Sequence, residues 1–198
     1  KSQGIYPTCT SFASIAANEI QENIDNNTPG KDRDYSEADL HYRVWNKSPD
    51  YYKKGSVVKW VLQATTQFNG YCREIDAPYT ILPKPVTYRV KIPVCRKIKS
   101  FQEFNGADNM KYNLTKGPIV STMIYYRDFN NYTGGEYRAK SDAYSGCHAL
   151  CVVGFDDNQK CWIVKNSWGS RWGQGGYAKI AYGVGKIEMY ASYAVSTK

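Results

Sequence analysis

The sequence predicts an α+β protein of two segregated lobes, and three observations predict it. Apolar residues in the first part of the chain recur at spacings of three and four, β-branched and aromatic runs take over beyond Gly117-Pro118, and 198 residues can bury a core for one large domain or two small lobes. The mainly helical lobe is expected over about residues 1–110 and the mainly β lobe over about 111–198, with a cleft between them as the default site.

From Cys9 to about Ile24, Phe12, Ile15, Ala16, Ile20 and Ile24 keep helical spacing with no Gly or Pro between them. Pro7 and Thr8 suit the turn that leads in, and Asn26-Asn27-Thr28-Pro29-Gly30 is a strong stop. A second helix fits Ser56 to Phe68, with Val57, Trp60, Val61, Ala64 and Phe68 on one face and Asn69-Gly70 ending it. The stretch from Ile75 to Ser100, with three prolines and scattered charges, reads as loops and short strands. Strands are expected at Ile119 to Tyr125, Ala149 to Phe155, Trp162 to Lys165 and Tyr177 to Tyr182. The polar tetrapeptide Asp156-Asp157-Asn158-Gln159 joins two of them into a hairpin running from His148 to Asn166.

Composition excludes more than it assigns. The 42% hydrophobic and 22% charged residues are ordinary for a globular protein, and no apolar run approaches the roughly 20 residues of a membrane helix. No membrane partner is expected. A formal charge of +8 invites an anionic partner, but Lys and Arg are spread along the chain and no nucleic-acid motif accompanies the 18 tyrosines, so a solvated basic surface is the better reading. The N-terminus Lys1-Ser2-Gln3-Gly4 has no signal-peptide apolar stretch, and any targeting or pro segment is expected to have been removed already. Sequons at Asn26, Asn46, Asn113 and Asn131 lend weak support to secretion.

Cys9 stands where a helix begins, and a helix N-terminus stabilises a thiolate through its unsatisfied N–H groups. On its own, a cysteine there is more often an inert core residue. The two histidines are His41 and His148. His148, between Cys147 and Ala149 at the start of a strand, is the better general base, with a hydrogen-bonded structural histidine as the bland alternative. His41, in a polar stretch, reads as a surface or packing residue. Asn166 ends the second strand of the hairpin, where an amide can fix the tautomer of a neighbouring imidazole, although an asparagine there is usually a turn former.

Taken together, Gln3-Gly4, Cys9 with Ser11-Phe12-Ala13, His148-Ala149 and the block from Asn166-Ser167-Trp168-Gly169 to Gly176-Tyr177 resemble the papain and cathepsin family of cysteine proteases in order and spacing. Ser36-Glu37-Ala38-Asp39-Leu40 resembles the opening of that family's second helix, and Lys54-Gly55 its double-glycine ledge. The resemblance implies a papain-like two-lobe fold with Cys9, His148, Asn166 and Gln3 as catalytic residues. Cys9 would attack a peptide carbonyl, His148 would serve as acid and base, and Gln3 with the Cys9 N–H would bind the oxyanion. Trp168 would shield the Asn166–His148 bond and Trp172 would line the leaving-group side. Gly55 would bind an extended peptide. Ser56, Val57, Thr122, Ala149 and Tyr190 would wall a specificity pocket, and the bulk of Tyr190 predicts a shallow site that takes aliphatic or modest aromatic side chains and rejects arginine.

No metal or organic cofactor is expected. The partners implied are a peptide or protein substrate and a propeptide or protein inhibitor, acting on a monomer in a secreted or lysosome- or vacuole-like compartment, after activation from a zymogen. Internal cleavage is the expected mode.

The chain also departs from the family. Thr10 replaces the usual Trp after the nucleophile, Tyr6 stands at a half-cystine position three residues before it, and Arg43 and Tyr52 stand near others. The family's disulfide scheme is therefore not carried over, and Cys72 with Cys95 is the replacement bridge expected. Cys147 and Cys151, if on one strand, lie roughly 13 Å apart, too far for a disulfide limited to roughly 7 Å or for shared zinc ligation with Cys161. The segment before Cys9 is shorter than the family's. Two further functions compete: a catalytically inactive homologue that binds peptides, and a Cys-His acyl or peptidyl transferase.

Overall fold

The computed structural model describes residues 1–45, 48–67, 70–82, 84, 86–87, 96–140 and 143–198. They form two compact units, one of Ile5–Phe101 with Val195–Lys198 and one of Lys1–Gly4 with Gln102–Ala194.

In the first unit, Pro7 and Thr8 turn the chain into helix α1, Cys9–Asp25. Its N-terminal half is buried nearly all round, with Ser11, Ser14, Ile15 and Asn18 at 0% exposure, while Ile24 is 50% exposed. Of the predicted apolar stripe, Phe12 and Ile15 are buried and Ile24 faces solvent, and small polar residues are buried beside the stripe. Helix α2, Glu37–Val44, is set by its cap, because the Ser36 hydroxyl accepts the Asp39 N–H at 3.0 Å and donates to the Ala77 carbonyl at 2.5 Å. Asp39, fully buried, pairs with Arg43 at 2.7 Å one turn on and accepts the Cys72 N–H at 2.9 Å. Helix α3, Val58–Gln67, buries Val58, Val61, Leu62 and Thr65, whereas Val57 and Trp60 of the predicted face are half exposed. The predicted end of this helix at Phe68-Asn69 lies outside the described residues. The three helices pack on one another around Ile15, Tyr35, Leu40, Val61 and Tyr71.

Two departures from the family pattern acquire a structural account here. Tyr6 and Tyr52, both at or near half-cystine positions, meet edge-to-face with centroids 6.0 Å apart, and Tyr6 also meets Tyr79. Aromatic contact stands at positions where the resembled family carries half-cystines, and such pairs contribute about 0.5–1.5 kcal/mol beyond their buried area. The Thr10 hydroxyl lies 2.5 Å from that of Ser56, tying the first turn of α1 to the loop before α3. The expected bridge from Cys72 to Cys95 falls on a residue outside those described.

His41 is a packing residue with no surface. Its Nε2 faces the carbonyls of Tyr51 and Lys54 at 3.1 and 2.9 Å, so Nε2 carries the proton, and Nδ1 accepts from the Ser11 hydroxyl at 3.1 Å. These three bonds satisfy the neutral ring, and burial lowers its pKa to about 4 against the two carbonyls that favour the charged form. An unfolded chain binds that proton below about pH 6.5 and the folded one does not. Stability is therefore expected to be complete above pH 6.5 and to decline as pH falls toward 4, by on the order of a few kcal/mol. Urea midpoints at pH 7 and pH 4.5 check this, and His41→Gln should reduce the dependence, leaving the part carried by His148, which burial lowers to about 4 as well.

The second unit is built on a sheet. Its strands are β1 Ser100–Phe104, β2 Ile119–Tyr126, β3 Glu136–Tyr137, β4 Tyr144–Asp156, β5 Cys161–Lys165, β6 Tyr177–Ala181 and β7 Ser192–Ser196, in the order β1-β7-β2-β4-β5-β6-β3. The Gln102–Phe104 part of β1 and the Ser192–Ala194 part of β7 belong to this unit. The β4–β5 hairpin is the predicted one: Asp156 Oδ1 accepts the N–H groups of Asn158 and Gln159 at 2.9 and 3.0 Å, and Lys160 takes the left-handed turn position. Helix α4, Ala107–Leu114, was not predicted. It contributes Met110 to a core of Ile119, Met123, Phe129, Leu150, Val152, Trp162, Val164 and Ile180. Trp162 is fully buried and donates its indole N–H to Glu188 at 2.7 Å.

Candidate active site

The sheet explains why His148 is held so firmly. It pairs with Met123 in the β2–β4 ladder and is 5% exposed, on a strand buried on both faces from His148 to Val152. The hairpin register pairs Cys151 with Lys165, and Asn166 follows directly. His148 Nε2 then lies 2.8 Å from Asn166 Oδ1. The amide orientation is fixed independently, because Oδ1 also accepts the Ser167 backbone N–H at 2.8 Å. An oxygen accepting both bonds requires that His148 Nε2 carry the proton, which leaves Nδ1 as the basic nitrogen of the neutral ring. The other end of the amide, Nδ2, is buried with no partner among the described residues, so the orientation rests on what Oδ1 accepts.

Aromatic rings cover this bond. The Trp168 indole stacks on the His148 ring, with centroids 4.9 Å apart and planes 30° apart, and is itself met edge-on by Tyr125, Phe129 and Trp172 at 5.6, 5.5 and 5.1 Å. Asn130 anchors two of the covering rings: its side chain accepts the Tyr125 hydroxyl at 2.7 Å and its carbonyl the Trp172 indole N–H at 3.1 Å. The loop that carries the tryptophans needs its glycines. At Gly173, with φ of 57°, a Cβ would stand 2.6 Å from the Tyr177 carbonyl. Burial pushes His148 down to about 4, with the Asn166 bond opposing it. Removing the cover should relieve that burial, so Trp168→Ala is expected to raise the His148 pKa toward the ordinary 6.5, read by NMR titration of the ring. A value that stays near 4 would show that Trp168 does not shield it.

Gln3 lies in the same unit. Its N–H donates to the Ser167 carbonyl at 2.8 Å, its Oε1 accepts the Ser167 hydroxyl at 2.5 Å, and the Gly169 N–H donates to the Lys1 carbonyl at 3.0 Å. The first residues are thereby strapped to the Asn-Ser-Trp-Gly block, and Gln3 is 7% exposed. Because Ser167 occupies the oxygen of the amide, the Nε2 end is the one oriented for a further acceptor. Ser167 was not among the predicted site residues, although the block that contains it was.

Of the residues predicted for substrate, Thr122 and Ala149 are register partners on β2 and β4, and Trp168, Trp172 and Tyr190 belong to the same unit. Tyr190 is 36% exposed and its neighbour Met189 71%. Cys9, Gly55, Ser56 and Val57 belong to the helical unit. Cys9 is the first residue of α1 and half-buried, with Gly55 and Val57 exposed. The Thr8 side chain does not cap the helix; its hydroxyl pairs with that of Tyr79 at 2.8 Å, while the Ser11 and Phe12 N–H groups take the Thr8 carbonyl. The thiol thus sits at the positive end of a helix with no acidic residue in its first turn. Cys147 and Cys151 do lie on one strand, β4, four residues apart, as their reading as unpaired with each other required.

The β unit thus holds a buried imidazole fixed in one tautomer by an amide, with an oriented glutamine beside Ser167, and the helical unit opens its first helix with a cysteine. The chain matches the model of the papain family cysteine proteases over residues 1–195, and it belongs to that family. It is 29% identical over 191 residues to cysteine proteinase 1 of Entamoeba histolytica, covering 91% of this chain and 58% of that protein. It is 34% identical over 139 residues to the uncharacterized peptidase C1-like protein L477 of Acanthamoeba polyphaga mimivirus, covering 57% of this chain and 42% of that one. Among solved structures, the bromelain protease from Ananas comosus in complex with the E64 inhibitor superposes with a TM-score of 0.75 at 25% identity, covering all of this chain and 93% of that one. The recombinant stem bromelain precursor does so with a TM-score of 0.80 at 25% identity, covering all of this chain and 66% of that one. The papain-like α+β fold follows from these likenesses.

Proposed function

We propose that this chain is a cysteine-type peptidase that cleaves peptide bonds internally. Cys9 forms the acyl-enzyme, His148 takes the thiol proton and delivers it to the leaving amine, Asn166 orients His148, and Gln3 with the Cys9 N–H stabilises the oxyanion. The observation that carries the reading is the Asn166–His148 bond, because it leaves Nδ1 as the one nitrogen able to exchange a proton with a thiol. After the amine departs, water attacks the thioester carbonyl, Nδ1 takes the proton of that water, and the acid product leaves as the Cys9 sulfur is released.

The substrate class is an extended peptide or protein segment, hydrogen-bonded along the backbone of the exposed Gly55. Tyr190 makes the specificity pocket shallow, favouring aliphatic or modest aromatic side chains over arginine. A propeptide is the expected resident of the same groove before activation, in a secretory or lysosome- or vacuole-like compartment. The test is a panel of dipeptidyl fluorogenic amides with and without a thiol-directed epoxide, together with peptides blocked at both ends. Epoxide-sensitive cleavage of the blocked peptides supports the reading. Cleavage confined to free termini would overturn internal cleavage, and no turnover by folded, reduced protein would favour the peptide-binding homologue.

A further inference from the structure

N-linked glycosylation needs an asparagine whose carboxamide nitrogen can act as a nucleophile and a hydroxyl two residues on, both within reach of the transferring enzyme. The structure separates the sequons of this chain by that requirement. Asn113 is 6% exposed at the end of α4, its Nδ2 donates to the Asn109 carbonyl at 2.9 Å, and the Thr115 hydroxyl donates to the Tyr112 carbonyl at 2.7 Å. Asn26 is exposed, but its Nδ2 donates to the Glu22 carbonyl at 2.8 Å; the Thr28 hydroxyl is held between Asn23 and Arg33, both at 3.2 Å. Asn46 lies outside the described residues.

Asn131 differs from both. It closes the short 3-10 turn Arg127–Asn131, and Asn131 and Thr133 are both exposed with neither side chain in a hydrogen bond among the described residues. The residue between them is the anchor: Tyr132 is 7% exposed and its hydroxyl donates to the Gly135 carbonyl at 2.6 Å. A buried aromatic between two outward polar side chains holds carboxamide and hydroxyl out into solvent in the folded chain.

We propose that Asn131 is an N-glycosylation site, modified by an oligosaccharide donated as its polyprenyl pyrophosphate. Asn131 Nδ2 forms the bond to C1 of the first sugar, the C1–O bond breaks with its electron pair leaving on the pyrophosphate, and Nδ2 gives up one proton. The attached sugar starts one residue from Asn130, whose carbonyl and side chain hold Trp172 and Tyr125. This inference rests on accessibility and not on the peptidase reading.

The test is secretion of the chain behind a signal peptide from a eukaryotic cell that also makes a known glycoprotein as a control, followed by glycosidase release in heavy-oxygen water and peptide mapping. Occupancy is expected at Asn131 and not at Asn113, the Asn131 glycopeptide should vanish in Asn131→Gln and Thr133→Ala, and it should persist in Thr133→Ser. A folded, secreted chain with bare Asn131, or with the sugar on Asn26 or Asn113 in its place, would overturn the proposal.

Discussion

Replacing Cys9 by alanine is expected to lower kcat/KM for a dipeptidyl amide by at least about 10⁴-fold, the scale seen when a hydrolase loses its nucleophile. The helix alone does not make a thiol reactive. A helix N-terminus favours a nearby negative charge by about 0.3–1 kcal/mol, less than the 1.36 kcal/mol that one pKa unit represents, so an ordinary thiol there stays mostly protonated at neutral pH. In the proposed mechanism the remainder comes from the proton moving to His148. Burial disfavours a charged His148 by on the order of a few kcal/mol, since it lowers the ring to about 4. In the proposed mechanism a thiolate–imidazolium attraction would offset that cost, since two unit charges about 4 Å apart gain about 4 kcal/mol at an effective dielectric of 20. Exposed Cys147, next to His148 in sequence, is the competing thiol. Alkylation by the epoxide should fall on Cys9 in intact-mass and peptide analysis and should survive Cys147→Ser. Activity in Cys9→Ala above a tenth of the wild-type value would remove Cys9 from the mechanism.

The chemistry was more legible in the sequence than the packing. His148 and Asn166 are candidates from residue type and order, Gln3 is a candidate only through the family resemblance, and the hairpin register together with the Ser167 bonds places these three side chains in one unit. Helix faces were harder, for a physical reason. In α3, Val57-Val58 and Trp60-Val61-Leu62 offer two adjacent apolar lines, so periodicity cannot choose between them, and packing of α3 on α1 and α2 selected Val58, Val61 and Leu62. In α1, Ser11, Ser14 and Asn18 are buried along with Phe12 and Ile15, and no hydrophobicity pattern selects those polar residues. Helix α4 is eight residues long, buries only Met110 and Asn113, and starts after Gly106 without a capping side chain, so neither period nor cap announces it. Ser167 was missed because its role is carried by a hydroxyl bonded to a residue 164 positions away.

Gln3→Ala is expected to lower kcat by about 10²–10³-fold with KM little changed, because the oxyanion that the amide would bind exists only in the transition state. The amide can do this only if its Nε2 end points the right way, and Ser167 supplies that orientation by donating to Oε1 at 2.5 Å. Ser167→Ala should therefore act in the same direction but less, about tenfold, as expected for one orienting hydrogen bond of about 1.4 kcal/mol. Gln3→Glu should be at least as damaging as Gln3→Ala, since a carboxylate accepts and cannot donate, and it brings negative charge toward a developing oxyanion. The double variant separates orientation from packing. If Ser167 works through Gln3, then Gln3→Ala with Ser167→Ala should be no slower than Gln3→Ala alone, a coupling visible in a double-mutant cycle. Additive losses would mean that Ser167 supports Asn166 or the loop independently, and a Gln3→Ala effect confined to KM would place Gln3 in substrate binding.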